Sequence, residues 1–208
     1  MAAPLILHED PRSGNCYKIK LTAALLGLDL KTRQYDILKG ETRTDAFRAH
    51  VNSQGRIPVL QLGDRYLPES NAACWYLAEG SHLVPADKFD RAQMLRWMFF
   101  EQYSHEPNIA TLRFWCRFVG MENLSDQQRG QMMPKQIAGQ DALTAMENHL
   151  VRHDWFAGGD APSASIADIV LFAYTHVADE GGFDLESFPA IRHWIERVQN
   201  LERFIAMA

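Results

Sequence analysis

Several features of other protein classes are scarce or missing in this 208-residue sequence. Its three cysteines, Cys16, Cys74 and Cys116, lie far apart and form no Cys-x-x-Cys pair. Their number and spacing argue against a disulfide scaffold and against a zinc site. We therefore expect three free thiols in a reducing cytoplasm.

Long runs of basic or apolar residues are also lacking. The formal net charge is −5 and no basic stretch exceeds a few residues, which argues against nucleic acid or an anionic membrane as a partner. No apolar stretch approaches the roughly 18 residues of a membrane span. Residues 1–4 lack the basic and long apolar regions of a secretory signal, so we expect none. A composition of 47% hydrophobic and 23% charged residues is instead typical of a globular protein with a sizeable core.

Apolar periodicity over the first 80 residues predicts alternating strands and helices. The expected elements are strands at 5–8, 30–36, 58–62 and 65–67, and helices at 15–26, 44–51 and 70–79. Gly63-Asp64 is a two-residue hairpin signal between the last two strands. Because helices between strands require crossover connections, we expect a partly parallel sheet covered by helices.

Strand patterns disappear after Gly80, and residues 81–85 form a candidate linker. A long helical pattern then runs from about 87 to 119, which Pro107 should kink and Gly120 should end. Ser125 with Gln128 predicts a capping box for a helix reaching about 153. Further helices are expected from Ser165 and over 190–199. The sequence thus predicts an α/β domain at 1–80 and an all-helical domain at 87–208.

Three short motifs carry candidate functions. The first, Ser13-Gly14-Asn15-Cys16-Tyr17-Lys18, follows the first strand. It places a serine at the amino end of a helix, where free N–H groups and the helix dipole favour negative charge. Taken alone, this serine is better explained as a helix cap.

The second motif has two parts, Gly55-Arg56-Ile57-Pro58-Val59-Leu60 and Pro68-Glu69-Ser70-Asn71-Ala72. Glu69 and Ser70 suit an amino-acid-like ligand, with a carboxylate for its ammonium group and a hydroxyl plus helix-start N–H groups for its carboxylate. The third motif, Ser165-Ile166-Ala167-Asp168, predicts a capping box. We assign it to folding.

In this order, and over nearly the whole chain, the motifs resemble those of the cytosolic glutathione S-transferase family. The likeness is to its serine-type theta and zeta classes and their bacterial relatives. It implies the glutathione transferase fold, which is an α/β N-terminal thioredoxin-like domain plus an all-α C-terminal domain. It also implies a cytoplasmic homodimer that uses glutathione as co-substrate and needs no metal.

The resemblance also implies roles for individual residues. Ser13 would stabilise the glutathione thiolate, with Asn15 as a supporting donor. A cis peptide bond before Pro58 would turn the backbone of Ile57 towards the cysteinyl part of glutathione. The remaining expected contacts are Glu69 and Ser70 at the γ-glutamyl end, Arg56 at the glycyl carboxylate, and Lys39 as a weak substitute contact.

Two departures from the family pattern affect this site. Asn52-Ser53 stands where family members usually have Asn-Pro, and no histidine lies near Thr42 in the loop after the second strand. The tyrosine used by other family members near the end of the first strand is replaced by His8.

The electrophile site is expected between the two domains, lined by the first long helix. Its candidate residues are Trp97, Phe100, Tyr103, Ser104, Pro107 and Arg113, with Trp115 near Arg113. Aromatic residues at helical spacing are also typical of a core, and the sequence does not choose the pocket side of this helix.

The expected activity is conjugation, with peroxidase, dehalogenase or isomerase chemistry as specialisations. Two alternatives stay open at this point. One is a glutathione-dependent thiol-disulfide oxidoreductase or lyase, in which Cys16 would be the nucleophile. The other is a non-catalytic interaction protein on the same fold.

Overall fold

The computed structural model describes residues 4–157 and 163–207. Their strands are β1 (Leu5–Glu9), β2 (Leu30–Gln34), β3 (Val59–Leu62) and β4 (Arg65–Pro68). Their α-helices are α1 (Gly14–Leu25), α2 (Asp45–His50), α3 (Ser70–Ala78), α4 (Lys88–Phe100), α5 (Glu106–Phe114), α6 (Asp126–Leu150), α7 (Ile166–Thr175) and α8 (Pro189–Gln199). The predicted fold class, an α/β part followed by a mostly helical part, is confirmed.

The four strands form one mixed sheet in the order β2-β1-β3-β4. β1 pairs in parallel with β2 through the α1 crossover, and antiparallel with β3. Leu62 pairs with Arg65 across the predicted Gly63-Asp64 hairpin. The expected partly parallel sheet is therefore present, and α1 and α3 pack against each other over it.

The second strand differs in detail from its prediction. It spans Leu30–Gln34 rather than 30–36, and every residue after Leu30 is exposed. The reason is its place at the edge of the sheet, where it pairs only with β1 among the described strands. An edge strand with little burial does not need the alternating pattern of a half-buried strand.

The long helical pattern after residue 87 is present, with an interruption before Pro107. Residues Glu101–His105 wind as a π-helix between α4 and α5, and Pro107 lies in the first turn of α5. Proline has no N–H to donate and its ring clashes with the carbonyl four residues earlier, which accounts for the interruption. A second π-helical segment, Trp115–Val119, ends at Gly120 with a positive φ of 84°, as expected for a helix stop.

Both predicted capping boxes mark helix starts. The Ser125 amide donates to Gln128 Oε1 at 2.9 Å, and the Gln128 amide donates to Ser125 Oγ at 3.3 Å. At the start of α7, Asp168 Oδ2 accepts from the Ser165 amide at 2.8 Å and from the Ser165 hydroxyl at 2.9 Å. These two sites fix the first turns of α6 and α7.

Asp168 is fully buried, and its side chain accepts hydrogen bonds from other segments in addition to those at the start of α7. Its Oδ1 accepts from the Phe156 amide at 3.1 Å and from Trp194 Nε1 at 3.0 Å. This carboxylate therefore connects α7 to α8 and to the segment after α6.

The chain divides into two compact units. The first contains the described residues up to Ser81 together with those from Leu201 onward, and the second is His82–Asn200. The tail returns to the first unit, where the Tyr17 hydroxyl donates to the Ile205 carbonyl at 2.6 Å. Among the described residues, no helix is long and apolar enough to cross a membrane.

Candidate active site at the start of α1

Ser13 is the N-cap of α1, where the chain turns after β1. Its hydroxyl accepts from the backbone amide of Cys16 at 3.4 Å, and its own amide donates to the Asp10 carbonyl at 3.0 Å. The side chain is half-buried, and a helix of 12 residues follows it. The hydroxyl therefore lies beside the first N–H groups of α1, at the positive end of the helix dipole, an environment that favours an anion.

The starts of α1 and α3 are joined by a side-chain hydrogen bond. The Ser70 hydroxyl donates to Asn15 Oδ1 at 3.2 Å, although the two residues lie 55 positions apart. Ser70 is buried, whereas the preceding Glu69 is exposed and has a φ of 72°. Positive φ is uncommon for a residue other than glycine and often marks a functional position. The structure thus joins two predicted site residues, Asn15 and Ser70, and Glu69 directly precedes Ser70 in the chain.

The peptide bond between Ile57 and Pro58 is cis, as predicted. The loop before it is organised by Asn52, whose amide Nδ2 donates to the Arg56 carbonyl at 2.9 Å and whose Oδ1 accepts from the Gln54 amide at 3.1 Å. Asn52 thereby braces this loop although Ser53 stands in place of the family's proline. The Arg56 side chain is exposed.

Lys39 lies in the loop after β2 and is 76% exposed, with its Nζ 3.4 Å from Asp36 Oδ2. Asp36 also accepts from Arg12 Nη2 at 2.8 Å. Hydrogen bonding from Arg12 lowers the pKa of Asp36 to about 2. Asp36 therefore contacts both Lys39 and Arg12, and Arg12 is the residue that precedes Ser13.

Asp10 and Arg12 are functional candidates that lie outside the three sequence motifs. Burial raises the pKa of Asp10, but hydrogen bonds from Arg12 and from the backbone outweigh it and bring this pKa below its ordinary value. The spacing of Asp10 and Arg12 was an available signal, because an aspartate often accepts from the amide two residues on. The partner Asp36 is 24 residues away from Arg12, and no local pattern indicates it.

Cys16 is fully buried inside α1, and burial raises the pKa of its thiol to about 12. A cysteine that acts as nucleophile needs a thiolate, which an electropositive and partly exposed site provides. The neighbouring Tyr17 is also buried, and burial raises the pKa of its phenol. Neither side chain has the environment of a thiol-activating or nucleophilic group.

His8, which stands where other family members use tyrosine, is a buried member of the sheet. Its Nδ1 lies 2.9 Å from the Tyr35 hydroxyl and its Nε2 lies 2.8 Å from Gln61 Oε1. Burial lowers the pKa of His8. The histidine thus connects β1 to β3 and to the residue after β2.

The predicted electrophile-pocket residues all belong to the second unit, in varied surroundings. Trp97 is buried and its ring packs edge-on against Phe100 and Phe156. Tyr103, by contrast, is 88% exposed. The Ser104 carbonyl accepts from Asn108 Nδ2 at 2.7 Å. The contribution of each residue to a pocket stays a prediction.

Pro107 and Arg113 have partners inside the same unit. The Pro107 carbonyl accepts from Lys135 Nζ at 2.7 Å. Arg113 is buried and its Nε donates to Glu180 Oε2 at 2.6 Å. Glu180 lies 67 residues from Arg113, so no local pattern indicates this ion pair. Within the described ranges, no cluster of three or more His, Cys, Asp or Glu residues could hold a metal ion.

A four-stranded sheet with a cis-proline before β3, followed by a unit whose described residues are mostly helical, defines a thioredoxin-like domain joined to a helical domain. The models of the glutathione S-transferase N-terminal and C-terminal domains match residues 12–79 and 126–202. A solved glutathione S-transferase from Pseudomonas fluorescens is 47% identical, with a TM-score of 0.89 and 98% of each chain covered. The chain therefore belongs to the glutathione S-transferase family.

Two further relatives agree with this assignment. A solved structure from Rhodopseudomonas palustris, described as a possible glutathione S-transferase, is 45% identical with a TM-score of 0.90 and covers 98% of this chain and 89% of its own. Glutathione S-transferase theta-3 of Mus musculus is 28% identical over 94% of this chain and 82% of its own length. The expected likeness to the theta class is thereby confirmed.

Proposed function

We propose that the protein catalyses attack of the glutathione thiol on an electrophilic small molecule, with Ser13 as the group that stabilises the thiolate. The observation that carries this proposal is the position of Ser13 at the amino cap of α1, with Asn15 hydrogen-bonded to the predicted ligand contact Ser70. The thiolate attacks an electrophilic carbon or a peroxide oxygen.

One serine at a helix amino terminus can supply the free energy needed to lower the pKa of the glutathione thiol. A free thiol resembling cysteine has a pKa of about 8.5, and lowering it by about two units takes roughly 2.7 kcal/mol. A hydroxyl that donates to a charged group contributes about 1.5–3 kcal/mol. A helix amino terminus adds about 0.3–1 kcal/mol. These contributions together meet the requirement.

The remaining contacts follow from the chemistry of the two ends of glutathione. Glu69 pairs with the γ-glutamyl ammonium, while Ser70 and the first amides of α3 bind its carboxylate. The backbone of Ile57, ahead of cis-Pro58, faces the cysteinyl part. Arg56 and Lys39, both exposed cations on loops, pair with the glycyl carboxylate.

The electrophile binds to the second unit, where the candidate contacts are Trp97, Phe100, Tyr103, Ser104, Pro107 and Arg113. Burial of Cys16 counts against the alternative cysteine-based chemistry, since a buried thiol with a raised pKa is a poor nucleophile.

We also propose that the protein acts as a homodimer in the cytoplasm. Among the described residues no disulfide joins Cys16, Cys74 or Cys116, which agrees with a reducing compartment. Two large apolar side chains of α4, Phe89 and Phe99, are strongly exposed. Large exposed apolar side chains on one helix support its use as an interaction surface.

Calorimetric titration with glutathione tests the binding assignment. Glu69→Ala or Ser70→Ala should weaken affinity by about 30-fold or more, because a charged ligand group left without its partner typically costs 2–5 kcal/mol. Glu69 is exposed, so its replacement should leave the unfolding temperature nearly unchanged.

Glu79→Ala is the matched control, because Glu79 is an exposed glutamate at the other end of α3. It should bind glutathione as the wild type does. Unchanged affinity in both the Glu69 and the Ser70 variants would remove the assignment of this site.

A further inference from the structure

Arg12 lies between two carboxylates from different loops. Its Nε and Nη2 donate to Asp10 at 2.9 and 2.6 Å, and the same Nη2 donates to Asp36 Oδ1 at 2.8 Å. The Asp10 side chain is 1% exposed and that of Asp36 is 28% exposed. A planar guanidinium matches this arrangement, because it presents several N–H donors in a fixed fork.

Asp10 holds the turn that carries Ser13. Its Oδ1 accepts from the Arg12 amide at 3.0 Å, while its carbonyl accepts from the Ser13 amide at 3.0 Å. Its Oδ2 also reaches across to the Ile37 amide at 3.2 Å. The carboxylate thus links the Ser13 turn to the loop after β2.

Asp36 organises the loop after β2 through its backbone contacts. Its Oδ1 accepts from the Leu38 amide at 3.0 Å and from the Lys39 amide at 3.4 Å. Its own amide donates to Glu41 Oε2 at 2.7 Å. The loop that carries Lys39 is therefore folded around Asp36, and Arg12 joins this loop to the Ser13 turn.

We infer that Arg12 is a positioning residue that holds the Ser13 turn against the loop carrying Lys39, and so fixes the Ser13 hydroxyl where it meets the glutathione thiol. This inference rests on the function proposed above. Loss of Arg12 leaves the buried Asp10 carboxylate without its charged partner, which lowers stability, and it also frees the turn that places a donor at the reacting atom. A displacement of about 1 Å can cost about 100-fold in rate.

Two substitutions separate geometry from charge. Arg12→Met removes the charge and all donors, and Arg12→Lys keeps the charge but replaces the fork by a single ammonium. If the fork positions Ser13, both variants should lower kcat by about tenfold or more. Full activity of Arg12→Lys would overturn the positioning role, and so would full activity of Arg12→Met.

A double-mutant cycle with Ser13→Ala then tests whether Arg12 acts through the serine. The readout is the midpoint pH of the ultraviolet thiolate absorbance of bound glutathione. Arg12→Met should raise this midpoint when Ser13 is present and should leave it unmoved in the Ser13→Ala background, because residues that act as one unit are not additive. Equal shifts in both backgrounds would overturn the inference.

Two further variants test whether the shift in the thiolate midpoint is specific to the link through Arg12. Asp36→Asn weakens the link to the second loop without touching Asp10, so it should reproduce part of the shift even if Arg12→Met folds poorly. Arg197→Met is the matched control, since Arg197 is similarly exposed at 32% and pairs with Asp154 in the second unit. It should leave the midpoint unchanged, and a shift in this control equal to that of Arg12→Met would also overturn the inference.

The thiolate midpoints of the Ser13 and Arg12 variants distinguish an error in the proposed role of Ser13 from an error in the positioning role of Arg12. If Ser13→Ala alone leaves the thiolate midpoint unmoved, the proposed role of Ser13 is wrong. If Ser13→Ala raises the midpoint while Arg12→Met and Asp36→Asn do not, the serine mechanism stands and the positioning role of Arg12 is wrong.

Discussion

At the scale of the residue, three neighbouring side chains at the start of α1 have hydroxyl or thiol groups and differ in their surroundings. Ser13 is half-buried at the helix cap, whereas Cys16 and Tyr17 are buried in the helix. The Tyr17 hydroxyl is engaged with the Ile205 carbonyl. Its position at the helix cap, rather than intrinsic acidity, therefore favours the serine as the residue that meets a thiolate.

Cys16 should be chemically inert in the folded protein. Iodoacetamide should alkylate the half-buried Cys116 at least about tenfold faster than Cys16, because a buried thiol with a pKa of about 12 supplies almost no thiolate. Mass spectrometry of the peptides measures both rates. Cys16→Ala should also retain turnover, and rapid labelling of Cys16 under native conditions would revive the cysteine mechanism.

At the scale of the element, buried hydrogen-bond acceptors determine how the helices of the second unit are held. Asp168 accepts from three residues, Phe156, Ser165 and Trp194, which belong to separate segments. By contrast, the capping box at Ser125 is exposed and local. Loss of the Asp168 side chain should therefore lower the free energy of unfolding more than loss of the Ser125 side chain does.

Asp168→Ala should lower the free energy of unfolding by about 3 kcal/mol or more, because it leaves several buried donors without an acceptor. Ser125→Ala, the comparison variant, should cost about 1 kcal/mol. Burial raises the pKa of Asp168 to about 6, so denaturant unfolding is best measured near neutral pH or above, where the carboxylate is ionised. Equal losses in the two variants would contradict this account of α7.

At the scale of the whole molecule, the expected assembly is a dimer with two-fold symmetry. Sedimentation at micromolar concentration should give a species of about twice the chain mass of 23.7 kDa. Phe99→Glu should dissociate it, because Phe99 is 70% exposed on α4 and apolar. Ile137→Glu, at a 56% exposed position on α6, is the control and should leave the dimer intact. A wild-type protein that sediments as a single chain would contradict the assembly.

The features that could be predicted from the sequence are those with local causes. The Gly63-Asp64 hairpin, the Ser125 cap and the helix stop at Gly120 each depend on a few adjacent residues, whereas the cis bond before Pro58 was expected from the family resemblance. The partners of Arg12, Arg113 and Trp194 lie 24, 67 and 26 residues away, respectively. Such pairs depend on how the helices, strands and loops pack together, and no local pattern in the sequence predicts them.

The ultraviolet absorbance of the thiolate of bound glutathione, followed against pH, tests whether Ser13 stabilises that thiolate. Ser13→Ala should raise the midpoint and lower turnover at neutral pH by about 100- to 1,000-fold, as expected for loss of one donor to a developing anion. A compensating bond from Asn15 would reduce this loss, while glutathione affinity should change little because other residues hold its two ends. If the midpoint is the same in wild type and Ser13→Ala, and Cys16→Ala abolishes turnover, the serine mechanism is contradicted and the enzyme uses its cysteine.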